Sequence, residues 1–204
     1  PLPWPVRLPG RAKVRSVSCG SAHTAFVGAQ GGVWLCGSND GGRLGLGKSQ
    51  LGDVILQPHR VEYLESHKFT KASCGASHTL LLTEVRSLWE GDNYEKARRL
   101  VGGAVFQAGS QAAFAGRLIP RFELVRELSK KPCRDISAGY MHSAAVTLRG
   151  ELYTWGSNRG QGAGHPLSVR QLHAPALVKA LFVEPRNLAL GKVASQSSVS
   201  LLLQ

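Results

Sequence analysis

The chain alternates between short apolar runs and glycine-centred polar turns, a pattern typical of antiparallel strands joined by tight hairpins. The pattern is clearest in the last third, where the runs are Cys133–Ala138, Ser143–Thr147 and Glu151–Trp155, with a turn at residues 149–150. Near the start, the corresponding runs are Lys13–Ser18, Thr24–Val27 and Gly32–Leu35. Each group of three runs predicts a small antiparallel sheet.

One phrase recurs three times along the chain. It reads SCGSAHT at 18–24, SCGASHT at 73–79 and SAGYMHS at 137–143, and a second phrase (VWLCGSND, VFQAGSQ, LYTWGSNR) follows each copy. A fixed period of this kind indicates one supersecondary unit that stacks on its neighbours. We therefore expect one shared structural role for the repeated positions, which are Gly20, His23, Gly75, His78, Gly139, His142 and the tryptophan of the second phrase, Trp155.

Radial packing of such sheets gives a β-propeller. The predicted fold is all-β, a single propeller segment over residues 1–204 with about three blades and a partial fourth. The expected repeats are about 13–66, 67–131 and 132–189, with a partial copy at 190–204 and an insertion at 84–103.

Two helices are also predicted. Residues 93–101 read as helical and end at Gly102 and Gly103. In the segment 117–131, the three-residue spacing of Phe122, Val125 and Leu128 predicts a short amphipathic helix.

The paired phrases resemble the regulator of chromosome condensation repeat over about 60% of the chain, in residues 13–47, 69–116 and 133–164. The resemblance implies a propeller of about seven blades. The ring is therefore expected to be incomplete in this chain, with the remaining blades supplied by further sequence or by another chain. The resemblance also implies guanine-nucleotide exchange on a Ran-like small GTPase as one function. Ala108 and Cys36 stand where the third repeat has Trp155, and these changes with the insertion indicate a diverged member.

The chain is not predicted to be an enzyme. A catalytic base is needed once, whereas His23, His78 and His142 recur in every repeat, and no aspartate at a matching offset completes a triad. Trp34 and Trp155 are expected to pack between blades. We therefore predict no catalytic residue, no cofactor and no metal.

The octapeptide GRLGLGKS at 42–49 satisfies the phosphate-loop pattern. A phosphate loop must lead directly into a helix, but Gly52 and Pro58 would interrupt one here. The same glycines are expected from the closing loop of the repeat, so nucleotide binding by Lys48 and Ser49 is not favoured.

The charge balance is strongly basic: Lys and Arg number 25 against 13 Asp and Glu, a net charge of +12. Such a surplus points to acidic partners rather than to a fold. Inserted and linking segments tolerate change without disturbing a stack of sheets. They are therefore the expected contact surface, and the candidate partner-binding residues are Trp89, Arg98, Arg99, Arg121, Arg126, Lys130 and Lys131.

These observations favour a non-enzymatic protein-interaction scaffold with basic loops. The alternatives are the exchange factor described above and a component of chromatin or of a ribonucleoprotein, which would bind DNA or RNA. The expected partner is a protein, which for the exchange-factor alternative is a small GTPase. No membrane partner is expected because no apolar run approaches the roughly 20 residues that span a bilayer.

The four cysteines show no CxxC pair, so neither a zinc site nor a disulfide framework is predicted. Free thiols favour a reducing intracellular compartment, nuclear or cytoplasmic, with mitochondria as an open alternative. Residues 187–198 also resemble the opening of a discoidin domain, but a degenerate fourth repeat explains the strand-like end of the chain better.

Overall fold

The structure is a computed structural model that describes residues 5–88, 99–110, 117–179, 192–196 and 199–203. Side chains are not described for 87–88, 99–100 and 192–203. Within these residues the regular structure is β, organised as three four-stranded antiparallel sheets and two hairpins. The all-β propeller-type fold predicted from the sequence is confirmed.

The first sheet, here called blade 1, contains four consecutive strands in the order β1-β2-β3-β4. A hairpin turn at residues 29–32 joins the second and third strands, and Gly31 adopts a φ of +87° there, which favours glycine. The strands are β1 (Val14–Cys19), β2 (His23–Gly28), β3 (Val33–Ser38) and β4 (Val54–Arg60).

The second sheet, blade 2, repeats this order with a hairpin inserted after its second strand. The inserted strands pair only with each other among the described residues. Blade 2 and its hairpin comprise β5 (Phe69–Cys74), β6 (His78–Thr83), the inserted β7 (Arg86–Leu88) and β8 (Arg99–Val101), then β9 (Val105–Ser110) and β10 (Leu118–Leu124).

The third sheet, blade 3, has the order β11-β12-β13-β14, and one further hairpin follows it. Its strands are β11 (Cys133–Ala138), β12 (His142–Thr147), β13 (Leu152–Ser157) and β14 (Gln171–Leu177), and the hairpin is β15 (Lys192–Gln196) with β16 (Val199–Leu203). The hairpin lies where the first two strands of a fourth repeat are expected.

Both helix predictions are wrong where the structure describes the residues. Residues 99–101 form β8, because Arg99–Val101 pairs with Arg86–Leu88, and residues 93–98 lie outside the described residues. Residues 118–124 form β10, followed by a single 3-10 turn at Arg126–Leu128. Phe122, Val125 and Leu128 are all buried, but Phe122 belongs to the apolar cluster between blades 1 and 2 and the other two to the cluster between blades 2 and 3. Their spacing therefore reflects a strand followed by a turn.

The first strand of each repeat lies against the first strand of the next, since β1 contacts β5, β5 contacts β11 and β11 contacts β15. Apolar clusters fill the space between consecutive blades. Leu35 and Phe69 belong to the cluster between blades 1 and 2, and Leu80 and Ile136 belong to the cluster between blades 2 and 3. Burial of these side chains, at about 25 cal/mol per Å2 of apolar surface, stabilises the stack.

No helix in the described part of the chain has the length and apolar character needed to cross a membrane.

Candidate functional site

The repeated histidine of blade 1 joins blade 1 to blade 2. Nε2 of His23 lies 2.8 Å from the hydroxyl oxygen of Thr79, which itself donates to the carbonyl of Arg43 at 2.7 Å. A threonine hydroxyl has one proton to donate, so it must accept from His23. The arrangement therefore assigns the proton of His23 to Nε2.

The same contact recurs one blade later. Nε2 of His78 lies 3.1 Å from the hydroxyl oxygen of Ser143, which occupies the position of Thr79 in the next repeat. The repeated serine makes a second junction, because Ser18 accepts a hydrogen bond from the backbone N–H of Cys74 at 2.9 Å and Ser73 accepts one from Ala138 at 2.8 Å. Serine and histidine of the repeated phrase thus bind each blade to the one that follows.

Burial is the main reason that the repeated histidines stay neutral. Burial, with a smaller contribution from the charge of Arg43, lowers the pKa of His23 to about 4. Burial, assisted by His23 and His142, lowers the pKa of His78 to about 3, and burial also lowers the pKa of His142. Among the described residues none is hydrogen-bonded to Nδ1 of His23, so a proton added there would be a buried, unpaired charge.

The repeated glycines leave room for the histidine rings and for the next blade. A methyl group on Gly20 would lie 2.5 Å from the carbonyl oxygen of Gly75 and equally close to the ring of His23. On Gly75 it would lie 2.5 Å from the carbonyl oxygen of Gly139, and on Gly139 it would lie 2.6 Å from the ring of His142. The repeated glycine is thus required by close packing rather than by a left-handed backbone.

A buried arginine reinforces the first junction. Arg43 is 7% exposed, and its guanidinium donates to the carbonyls of Asp40 at 2.6 Å and Ala76 at 2.9 Å and pairs with the Asp40 carboxylate at 3.1 Å. The Ala76 carbonyl also accepts from the hydroxyl of Ser21 at 2.6 Å. Sequence reasoning missed Arg43, since its partner in blade 2 is 33 residues away and no local pattern reveals it.

The two repeat-associated tryptophans occupy different environments. The indole N–H of Trp155 donates to the side-chain carbonyl of Gln107 in blade 2 at 3.2 Å, so Trp155 lies between blades 2 and 3. Trp34 instead lies over the hairpin turn of its own blade, against Gly28 and Gly32, with the guanidinium of Arg60 5.7 Å from its ring centroid.

The segment with the phosphate-loop pattern is a closing loop that folds onto blade 2. The backbone amide of Leu44 is bound by the Asn39 side chain at 3.0 Å, and the amide of Gly47 donates to the Pro120 carbonyl at 2.8 Å. Lys48 begins a 3-10 turn of three residues, after which the chain extends into β4. Four amides of this loop, those of Gly42, Leu44, Gly45 and Gly47, therefore already have partners within the chain.

The candidate partner-binding residues are distributed over several sites. Trp89 and Arg98 lie outside the described residues, and Arg99 belongs to β8, where its side chain is not described. Arg121 and Lys131 contact aromatic rings, with cations 5.3 Å from the centroid of Tyr63 and 5.0 Å from that of Tyr153. Arg126 and Lys130 are exposed, and within the described part of the chain neither forms an ion pair.

Lys130 and Lys131 share one end of blade 3 with two further basic residues. Arg134 is exposed at the start of β11, and Arg149 is exposed in the turn between β12 and β13. The turn is held beside this end because the backbone N–H of Leu148 donates to the carbonyl of Pro132 at 2.8 Å. We call this surface the basic edge, and it comprises Arg126, Lys130, Lys131, Arg134 and Arg149.

The sheets and their junctions define a protein of the β-propeller class, and comparison with known proteins identifies the family. Two models of the regulator of chromosome condensation (RCC1) repeat match the chain, one at residues 30–82 and the other at residues 133–161. The chain belongs to the regulator of chromosome condensation repeat family, as its paired phrases indicate.

Similar proteins are much longer than this chain. X-linked retinitis pigmentosa GTPase regulator of Canis lupus familiaris is 34% identical over 143 residues, covering 70% of this chain and 13% of that protein. The mitochondrial RCC1 domain-containing protein RUG3 of Arabidopsis thaliana is 33% identical over 199 residues, covering 91% of this chain and 41% of that protein. The crystal structure of Prp20p from Saccharomyces cerevisiae, a protein with binding properties to Gsp1p and histones, has a TM-score of 0.69 at 17% identity, covering 90% of this chain and 42% of that one.

Proposed function

We propose that this chain is a protein-interaction segment of a propeller, in which the basic edge binds an acidic surface of a partner protein. The observation that carries the proposal is the exposure of Arg126 and Lys130 without ion-pair partners in the described part of the chain. Unpaired cations at one end of a rigid sheet attract acidic partners and increase their rate of association.

The repeated histidines support a role without chemistry of their own. His23 and His78 are buried and bound to hydroxyl groups of the next blade, and their pKa values of about 4 and 3 leave them neutral at physiological pH. Among the described residues, no group of three or more His, Cys, Asp or Glu side chains is placed to hold a metal ion. These side chains serve the stack of blades.

The test reverses charge at the basic edge of the full-length protein. The double variant Lys130→Glu, Arg149→Glu is compared with Lys48→Glu, Arg159→Glu, two exposed residues that follow β3 and β13 at the opposite end of the blades. Cross-linking mass spectrometry in cells should show partners lost only in the first variant. An unchanged set of partners in both variants would reject the proposed surface.

A second candidate function is guanine-nucleotide exchange on a Ran-like small GTPase. It is favoured by the structural similarity to Prp20p, which is described as binding Gsp1p, and by the identity to a protein named as a GTPase regulator. Exchange requires no catalytic side chains, since the factor only has to reshape the nucleotide site of its partner. Release of labelled GDP from Ran-like GTPases measures it, and no acceleration at saturating protein would exclude it.

A nucleic-acid or chromatin role is separated from both candidates by titration with DNA and RNA, since no binding at low salt would exclude it. Contacts of the basic edge with DNA or RNA phosphates would make the logarithm of the affinity fall linearly with the logarithm of salt concentration. The proposed compartment is intracellular, which the four free cysteines support. Mitochondria are the alternative, because the relative RUG3 is named as mitochondrial.

A further inference from the structure

A groove with a volume of about 470 Å3 lies between the outer strands of blades 2 and 3, β10 and β14. Its apolar lining includes Ile119, Pro175 and Trp155, and Arg126 and Glu127 are among the charged residues around it. This volume lies within the range of about 300–1,000 Å3 that is usual for ligand-binding pockets.

The corresponding space between blades 1 and 2 is filled by the chain's own closing loop. Leu44 is fully buried there, and Leu46 forms a β-bridge with Arg121 on the outer strand of blade 2. The adjacent amide of Gly47 donates to the Pro120 carbonyl at 2.8 Å, and Gly45 lies against the ring of Phe122. A leucine- and glycine-rich segment thus adds an extended stretch to the edge of β10.

Tyr63 fixes this segment in place. Its hydroxyl donates to the carbonyl of Gly45 at 2.7 Å and accepts from the backbone N–H of Phe122 at 2.8 Å. Tyr63 is the middle residue of the 3-10 turn Glu62–Leu64, which follows β4. Three features therefore fill the first groove: the loop 39–53, Tyr63 and Phe122.

All three features are replaced at the second groove. Strand register pairs Glu123 with Gln107 and Ala176 with Thr154, which puts Pro175 in the place of Phe122. Glu127 is the middle residue of the turn Arg126–Leu128 and takes the place of Tyr63. The connection between the third and fourth strands has seven residues in blade 2 (111–117) and fifteen in blade 1 (39–53).

We propose that the groove between blades 2 and 3 binds an extended, leucine-containing segment of a partner protein in the position that residues 44–47 occupy between blades 1 and 2. The segment pairs with the edge of β14, where the carbonyl of His173 replaces that of Pro120, and its leucine packs on Ile119, Pro175 and Trp155. This is strand addition to an exposed sheet edge, with a pocket for one side chain.

The proposal rests on the proposed interaction function, but its salt dependence sets it apart from binding at the basic edge. The lining contains two arginines and two glutamates, and Arg117 is already paired with Glu123 at 2.9 Å. Charge around the groove is balanced, so binding of an uncharged leucine–glycine segment should change little with salt. Binding at the basic edge should weaken steeply.

The test titrates the full-length protein with a capped, uncharged heptapeptide that contains residues 44–47, Gly-Gly-Leu-Gly-Leu-Gly-Gly, and follows the indole N–H resonance of Trp155. The variant Glu127→Tyr, Pro175→Phe supplies the two side chains that hold residues 44–47 in the first groove and should tighten binding at least tenfold. Pro58→Phe, the same substitution at the equivalent position of blade 1, is the matched control and should leave binding unchanged. A peptide with serine in place of both leucines should not bind.

Binding that is no tighter in the variant Glu127→Tyr, Pro175→Phe, or no saturable change at Trp155, would overturn the proposal. Peptide binding that appears only after residues 111–116 are replaced by a glycine–serine linker would assign the groove to residues 111–116 themselves. That result would also overturn the proposal. A shift of the Trp155 resonance with protein concentration alone, without peptide, would make a second copy of this chain the occupant and reject a heterologous partner. If the peptide does not bind while the partners of the basic edge are retained, the inference about the groove is refuted and the proposed function is not.

Discussion

Nε2 of His78 and the hydroxyl oxygen of Ser143 lie 3.1 Å apart across the boundary between two sheets, although 65 residues separate them in sequence. Both side chains are fully buried or nearly so. The contact repeats that of His23 with Thr79 at the previous boundary. A phrase of seven residues, repeated along the chain, thus contains both halves of a junction. Its histidine binds the next blade, and its hydroxyl binds the histidine of the previous blade.

Acid should destabilise the stack because its histidines are neutral when folded. In the unfolded chain these histidines bind protons near pH 6.5, whereas in the folded chain the pKa values of His23 and His78 are about 4 and 3. The unfolded state therefore binds more protons between these values. The free energy of unfolding should be highest above pH 6.5 and fall by up to about 1.4 kcal/mol per pH unit for each histidine as the pH is lowered towards 4.

Urea denaturation between pH 4 and 7.5 measures this slope. His78→Gln should remove part of it, while replacement of the exposed His59 by glutamine should not. A free energy of unfolding that is flat below pH 6.5 would contradict the assignment of neutral, buried histidines.

Gly75→Ala should destabilise the fold through steric overlap alone. The added methyl would lie 2.5 Å from the carbonyl oxygen of Gly139, where the next blade has little room to move, and we expect a loss of about 2–3 kcal/mol. Gly150→Ala is the contrasting control, since Gly150 has a φ of +83° but open space around it, and should cost about 1 kcal/mol of backbone strain. Equal losses in the two variants would show that Gly75 is not packed as described.

Arg43→Met should raise the pKa of His23 and weaken the first junction. The arginine charge contributes to the lowered pKa of His23, after burial, and the guanidinium binds the Ala76 carbonyl of blade 2. Loss of hydrogen bonds from a charged donor should lower the free energy of unfolding by about 1.5–3 kcal/mol. NMR titration of the histidine ring measures the pKa, and Arg60→Met, at an exposed arginine, should leave it unchanged.

The cysteines should react with iodoacetamide in an order set by burial. Cys19 is exposed and should be modified first, whereas burial raises the pKa of both Cys74 and Cys133 to about 12 and leaves little thiolate. Cys36 is half-buried, and its pKa is raised by burial and by the nearby Cys19, so it should react more slowly than Cys19. Peptide mapping by mass spectrometry follows each site. Modification of Cys74 or Cys133 before unfolding would argue against tightly packed blades.

The repeated phrases predicted the sheets well because they combine glycine turns with apolar runs at a fixed offset. The outer strands β4, β10 and β14 were not predicted, and each contains a proline: Pro58, Pro120 and Pro175. Proline normally argues against a strand, but it is accepted at a sheet edge, where its missing N–H has no ladder partner to lose. The outer strand of each blade is such an edge.

The contacts between blades were beyond sequence reasoning for a different reason. Arg43 and Tyr63 act through partners on the neighbouring blade, Ala76 and Phe122, and neither residue lies in a repeated phrase. The three-residue spacing of Phe122, Val125 and Leu128 indicated a helix because a strand followed by a 3-10 turn buries side chains at the same interval. Sequence periodicity identified the repeated unit, whereas the contacts that join consecutive units required coordinates.

The most direct test of the account is a double-mutant cycle for His78→Ala and Ser143→Ala, measured by urea denaturation at pH 7. If these side chains join consecutive blades, the cycle should give a coupling free energy of about 1 kcal/mol. The same cycle for His23 and Ser143, which belong to blades 1 and 3, should give a value near zero. Coupling absent from the first pair, or equal in the two pairs, would contradict a stack in which each repeated histidine binds the blade that follows it.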